Sequence, residues 1–251
     1  MSTFAVARLD LQRLAVRPFA WTLAAIALAA LAWMFLLDLN GFLAAQPKLV
    51  ANVSGPGFTD LVAVPQLLAY VQLCVLLAPL ITMHALAGER RAHTLPLLLA
   101  AGLSPTRIIL GKFFAALLFL WALLIVVALM PLALTHATTP DWGQFGAALI
   151  GCALSIAALT AIGIACSAFA SHPTLAAAGA LMIALILASL DAGARASDIA
   201  LGWLGYLALP THLTPFMHGI IASVDVMYFL LLIGVALALA VRRVAAEKVR
   251  G

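Results

Sequence analysis

Apolar residues fill this chain in runs close to 20 residues long, and charge, glycine and proline collect between them. The first run, 18–37, would span about 30 Å as a helix, the thickness of a bilayer's hydrocarbon core. Further runs at 61–83, 108–134, 145–170, 174–190 and 224–241 bring the expected number of membrane-spanning helices to six. Prolines 65 and 79 interrupt the second run and predict a kink there. The pattern therefore predicts an all-α integral membrane protein folded as one transmembrane domain over residues 1–251.

The intervening stretches differ in kind. Residues 38–60 contain Asn40, Gly41, Pro47, Asn52, Ser54, Gly55, Pro56 and Gly57, which predicts an external loop. Residues 84–112 hold Glu89, Arg90, Arg91, His93, Arg107 and Lys112, too much charge to cross lipid, with Lys112 placed to snorkel to the interface. Residues 135–143 form a short polar hinge. In 191–223 the apolar core, 199–209, is too short to span, while Trp203 and Tyr206 suit an interface, so a partly helical external segment lying on the bilayer is expected. At the other end, residues 4–17 place Asp10, Arg13 and Arg17 on one helical arc, consistent with an interfacial helix or with a basic tail.

Small residues recur every four positions in two of the runs. Gly151 and Ser155, then Gly163 and Ser167, lie along the fourth; Ala176, Ala180, Ala184 and Ala188 lie along the fifth. Packing drives helix association in lipid, so these two helices are expected to pack closely together.

Composition agrees: 66% of the chain is hydrophobic and only 9% charged, with mean hydropathy +1.18. The net charge of +4 does not indicate nucleic acid, because the basic residues flank the ends of the apolar runs. With the N-terminus inside, Arg8, Arg13, Arg17, Arg90, Arg91, Arg107, Lys112, Arg242, Arg243, Lys248 and Arg250 fall on the cytoplasmic side. Only Lys48 and Arg195 fall outside. That asymmetry predicts an N-in, C-in protein of the bacterial inner membrane. The first run begins after 17 residues, is as long as a full span and leads to no small-x-small cleavage site, so it is expected to remain as the first helix.

Candidate chemistry is sparse. Gly111-Lys112 lacks the upstream glycine and the following Ser or Thr of a phosphate-binding loop, and neither H-E-x-x-H nor G-x-S-x-G occurs. No carboxylate lies in the middle of a run; Asp38, Asp191 and Asp225 are expected at helix ends. Cys74, Cys152 and Cys166 read as small buried hydrophobes. His212 and His218, near Met217 and Met227, lack a specific ligand spacing and read as interfacial hydrogen-bonding groups rather than as a metal site. No catalytic residue, metal or cofactor is expected on the chain.

Glu89-Arg90-Arg91-Ala92-His93-Thr94-Leu95, the leucines at 97–99, Leu103-Ser104 and Gly111-Lys112 together resemble the signature of type-2 ABC transporter permeases. His93, Pro96 and Gly102 stand where that signature has glycine, glutamate and proline, and a single acid precedes the basic pair. The segment from Leu209 through His212, Phe216 and Gly219 to Asp225, Tyr228 and Phe229 is similar to that of permeases of the gliding-motility and nitrous-oxide-reductase-maturation types. The opening Leu9-Asp10-Leu11 to Arg17-Pro18 also resembles the family's entry.

This resemblance implies a complex of two permeases, as a homodimer or with a homologous permease, and two cytoplasmic ATPase subunits that hold the ATP and Mg. It implies a coupling helix after the second span, with Glu89, Arg90, Arg91 and His93 as contacts to the ATPase and Thr94 fixing the helix locally. Closure of the ATPase would tilt spans one, two and five and move substrate outward. A periplasmic or membrane accessory protein could join. On the residues alone, 84–112 also reads as a solvated connector. A membrane anchor that passes ATPase motion to other proteins, and a secondary carrier, remain as other functional classes. An apolar interior favours a lipidic, amphiphilic or sulfur- or metal-linked cargo over a large polar one.

Overall fold

The computed structural model describes residues 3–16, 18–50, 57–92, 94, 103–134, 138, 140–196 and 205–250. Among these, all regular structure is helical, and six helices are long and apolar enough to cross a membrane. The order is α1 (Thr3–Val16), α2 (Pro18–Val50), a π-turn (Thr59–Ala63) running into α3 (Val64–Thr82), and α4 (Ala87–Arg91). Then follow α5 (Pro105–Leu132), α6 (Trp142–Phe169), α7 (Pro173–Ala196), α8 (Leu209–Met217) and α9 (Ser223–Arg250). The candidate spans are α2, α3 with its π-turn and α4, α5, α6, α7 and α9.

The first departure from expectation is α2. Instead of ending near Leu37 it runs for 33 residues, through Asp38, Asn40, Gly41 and Pro47, so Asp38 lies inside a helix rather than at its end. The apolar period explains this: Leu28, Leu31, Phe35, Leu39 and Phe42 continue one inward face past Asp38. Phe42 then meets Phe58 edge-on at 5.6 Å, which anchors the extension to the start of the next span. Turn-forming residues were outweighed by a tertiary partner. Nearer its start, Ala20, Ala24, Ala27 and Leu31 are buried. The Trp21 indole donates to Ala15 O at 2.6 Å, tying α2 to the end of α1.

The second span absorbs Pro65 by widening into a π-turn just before it, while Pro79 sits inside α3. α6 begins with Asp141 as N-cap, its Oδ1 accepting from Gly143 and Gln144 N–H at 2.9 and 3.1 Å. The Asp141 N–H donates to Thr59 Oγ1, joining that cap to the π-turn. α3, α5 and α6 are mostly buried and form the centre; α2, α7 and α9 are mostly exposed along their lengths.

The small residues of α6 serve other neighbours than expected. A side chain at Gly151 would stand 2.6 Å from Phe216 of α8, and one at Gly163 would stand 2.1 Å from Thr82 of α3. Ser155 bonds back to Gly151 O. α6 does touch α7, but its two glycines open space for α8 and α3. On α7, Ala176, Ala180 and Ala184 are buried, and Ala176 clusters with Met83, Ala87 and Ala170.

In the segment 191–223 the described residues include a short helix with one buried side. α8 is wedged into the bundle, with His212, Leu213, Phe216 and Met217 buried. Its end is a Schellman closure: Ile220 N–H to Pro215 O, Gly219 N–H to Phe216 O, and Gly219 at φ +80° against Gln144. His212 Nδ1 lies 2.7 Å from Asp225 Oδ1 and Nε2 lies 2.7 Å from Tyr206 O, with the ring stacked on Tyr228. α9 continues past Val241 to Arg250, so its last turns carry Arg242, Arg243 and Glu247 on a helix rather than a tail.

Candidate coupling site

Five residues make α4, too short to be stable by itself. Its backbone is held from outside. Ser167, at the end of α6, accepts from Leu86 and Ala87 N–H at 3.0 and 3.1 Å and donates to Met83 O at 3.1 Å. A serine on another helix thus performs the work of an N-cap. At the other end, Thr94 donates from N and Oγ1 to Glu89 O at 3.0 and 3.2 Å. His93 and residues 95–102 lie outside the described residues.

The charges on α4 point to opposite sides of the bundle. Glu89 is 9% exposed, and its Oε1 accepts from Lys112 Nζ at 2.6 Å. Lys112 also donates to Asp10 of α1 at 3.2 Å, and Arg13 of α1 approaches both carboxylates at 3.5 and 3.6 Å. Lys112 therefore does not snorkel: its side chain is 4% exposed and enclosed by this four-charge cluster. α1 can come so close because of Gly111, where a side chain would stand 2.7 Å from Val6.

Arg90 points the other way. It donates to Ala170 O, to Ala168 O at 2.7 Å and to Glu247 Oε1 of α9 at 2.8 Å. The first two are carbonyls at the C-terminal end of α6, where a cation is favoured by unpaired acceptors and the helix dipole. Arg243 extends the cluster, 3.6 Å from Glu247 and 5.9 Å from the Phe169 ring centroid. Arg91 alone of the three charged residues on α4 is exposed.

Glu89, Arg90 and Thr94 are thus gathered in one place, with Ser167 on the Leu86 and Ala87 amides and Ala176 clustered with Ala87. Gly151, Ser155, Gly163 and Ala180 lie elsewhere on α6 and α7. Sequence reasoning did not find Asp10, Arg13, Lys112 and Glu247 as partners. A signal existed: a lysine at the start of a buried span requires a carboxylate, and Glu89 is the only one in 84–112. Among the described residues, no three His, Cys, Asp or Glu side chains are grouped to hold a metal ion.

Residues 66–218 match the family described as ABC-2 family transporter protein, which is more than half of the chain. The chain belongs to the ABC-2 transporter family. It is accordingly a multi-pass membrane protein and a permease component of an ABC transporter, a membrane domain that does not itself carry the ATPase site. No curated protein matches it. The ABC-2 match takes in α4, Lys112 and Ser167 but leaves Asp10, Arg13 and Glu247 on either side of it. Both ion clusters on α4 therefore join the family region to helices beyond its ends.

Proposed function

We propose that this ABC-2 permease moves substrate outward across the bacterial inner membrane, driven by a separate cytoplasmic ATPase that docks on α4. The ATP and Mg belong to that ATPase, and two permease copies, or this chain and a homologous one, complete the complex. Both termini and α4 face the cytoplasm, α1 lies along the interface, and an accessory protein can join outside. The similarity noted above favours a permease of the gliding-motility or nitrous-oxide-reductase-maturation type.

The observation that supports this reading is the bracing of α4. Glu89 connects it to α1 and α5, Arg90 connects it to α6 and α9, and Ser167 holds its first turn. A push on such an element moves four helices together. A solvated connector needs no such fixation. In this reading Glu89 and Arg90 transmit force, and exposed Arg91 is the charge left to meet the ATPase.

The test separates docking from transmission. With the cognate ATPase, Arg91→Glu is expected to weaken co-purification about tenfold, roughly the effect of reversing one well-placed interfacial charge. Arg90→Gln is expected to leave binding intact while abolishing stimulation of ATP hydrolysis by the permease. Unchanged binding in the first and unchanged stimulation in the second would refute the proposal.

A further inference from the structure

Beside α4 lies a cleft of about 340 Å³, lined on its polar side by Asp10, Arg13, Glu89 and Lys112. Leu14, Ile81 and His84 also line a second, more apolar cleft of about 210 Å³, which continues to Phe19, Ala20 and Leu80 at the start of α2 and the end of α3. The two spaces share that wall, so a mixed-charge chamber adjoins an apolar one. Its polar part alone falls within the roughly 300–1,000 Å³ of small-molecule sites.

The charges are unequally used. Lys112 and Glu89 are tightly paired and buried. Arg13 is not: it is 55% exposed and meets the carboxylates only at 3.5 and 3.6 Å, longer than a good hydrogen bond, while Asp10 is held at one oxygen only, its Oδ2 accepting from Lys112 at 3.2 Å. Among the described residues, Asp10 Oδ1 meets only that loose guanidinium. The chamber thus presents one under-used carboxylate oxygen, Asp10 Oδ1, and one under-used fork of cationic donors within one ion-pair length of each other, next to an apolar cleft. That is the complement of an ammonium and a phosphate at the head of an alkyl chain.

We propose that this paired cleft binds a phosphatidylethanolamine from the leaflet on the α4 side. Its ammonium is held by Asp10, its phosphate by Arg13, and one acyl chain lies along Leu14, Ile81 and Phe19. Assignment to the cytoplasmic leaflet rests on the orientation proposed above, but the binding does not. The lipid fills the gap between α1 and α4 and so joins the first ion cluster. A primary ammonium can donate N–H to a carboxylate, whereas a quaternary one cannot, so the site discriminates between headgroups.

The delipidated full chain in detergent is titrated with phosphatidylethanolamine, phosphatidylcholine and phosphatidylglycerol, and bound lipid is counted by native mass spectrometry. The ethanolamine lipid is expected to bind about tenfold more tightly than either other, a difference worth about one well-made charge-assisted contact. Leu14→Trp fills the junction of the two spaces, and Ala92→Trp blocks the polar end from an exposed position. Each is expected to lower ethanolamine-lipid binding about fivefold or more with the helical circular dichroism unchanged, and if one variant does not fold the other carries the test. Glycerophosphoethanolamine, which lacks acyl chains, is expected not to compete at equal concentration. Equal binding of the three lipids, preference for the glycerol lipid, undiminished binding in the folded tryptophan variants, or full competition by the chainless headgroup would each overturn the proposal. None of these outcomes depends on an ATPase.

Discussion

Lys112 shows what a single residue demands when it is taken out of water. Its ammonium is buried with Glu89 and Asp10, and removing either side leaves a charge that lipid and protein both solvate poorly. Lys112→Met should therefore destabilise the permease by about 3–5 kcal/mol, whereas the double variant Lys112→Met with Glu89→Leu should recover part of that loss. Thermal unfolding in detergent, monitored by circular dichroism, measures both. If the single and double variants lose equal stability, the pairing is not what holds Glu89. Ser167 makes a milder case. Ser167→Ala strands the amides of Leu86 and Ala87, at a cost of about 1–2 kcal/mol, and those two amides should exchange hydrogen faster while the middle of α6 does not.

For helices, the glycines of α6 give the sharpest expectations. Gly163→Val would drive a side chain into Thr82, and α3 and α6 are the two most buried spans, so the bundle cannot yield cheaply. A loss of about 1–3 kcal/mol is expected, and Thr82→Ala in the same chain should restore part of it. Gly151→Val should instead displace α8. Its readout is protease or label access to Leu213 and Phe216, which are buried in the parent.

The spans were legible because about 20 apolar residues can do little else in a bilayer, and the permease signature was legible in Glu89 to Thr94 and Gly111-Lys112. What was not legible depended on partners distant in sequence. The helix through Asn40, Gly41 and Pro47 needed Phe58; the burial of α8 needed Gly151; the inward turn of Glu89 and Arg90 needed Lys112, Ala168 and Glu247. Helical periodicity was available in the first case, since Phe35, Leu39 and Phe42 kept their register, but the turn-forming residues carried more weight. His212 is a hydrogen-bonding residue, and its partners, Asp225 and Tyr206 O, which the sequence did not reveal, make it a tie between α8 and α9.

Taken whole, the ABC-2 permease is a bundle whose central helices are fixed by packing and whose α4 is fixed by charge. Two clusters reach from α4 to opposite sides, one through α1 and α5 and the other through α6 and α9. The proposed coupling depends on this arrangement. If α4 transmits ATPase motion, the effect must be felt at α8, which rests on α6 through Gly151 and Phe216. Spin labels at Ala92→Cys and His218→Cys, both exposed positions, can be placed in a background with Cys74, Cys152 and Cys166 replaced. Their separation, measured by double electron–electron resonance with the ATPase bound, should shift when the nucleotide state is trapped with vanadate. The shift should disappear in Arg90→Gln while the ATPase stays bound. An equal shift in Arg90→Gln, or none in the parent with the ATPase in place, would contradict the account.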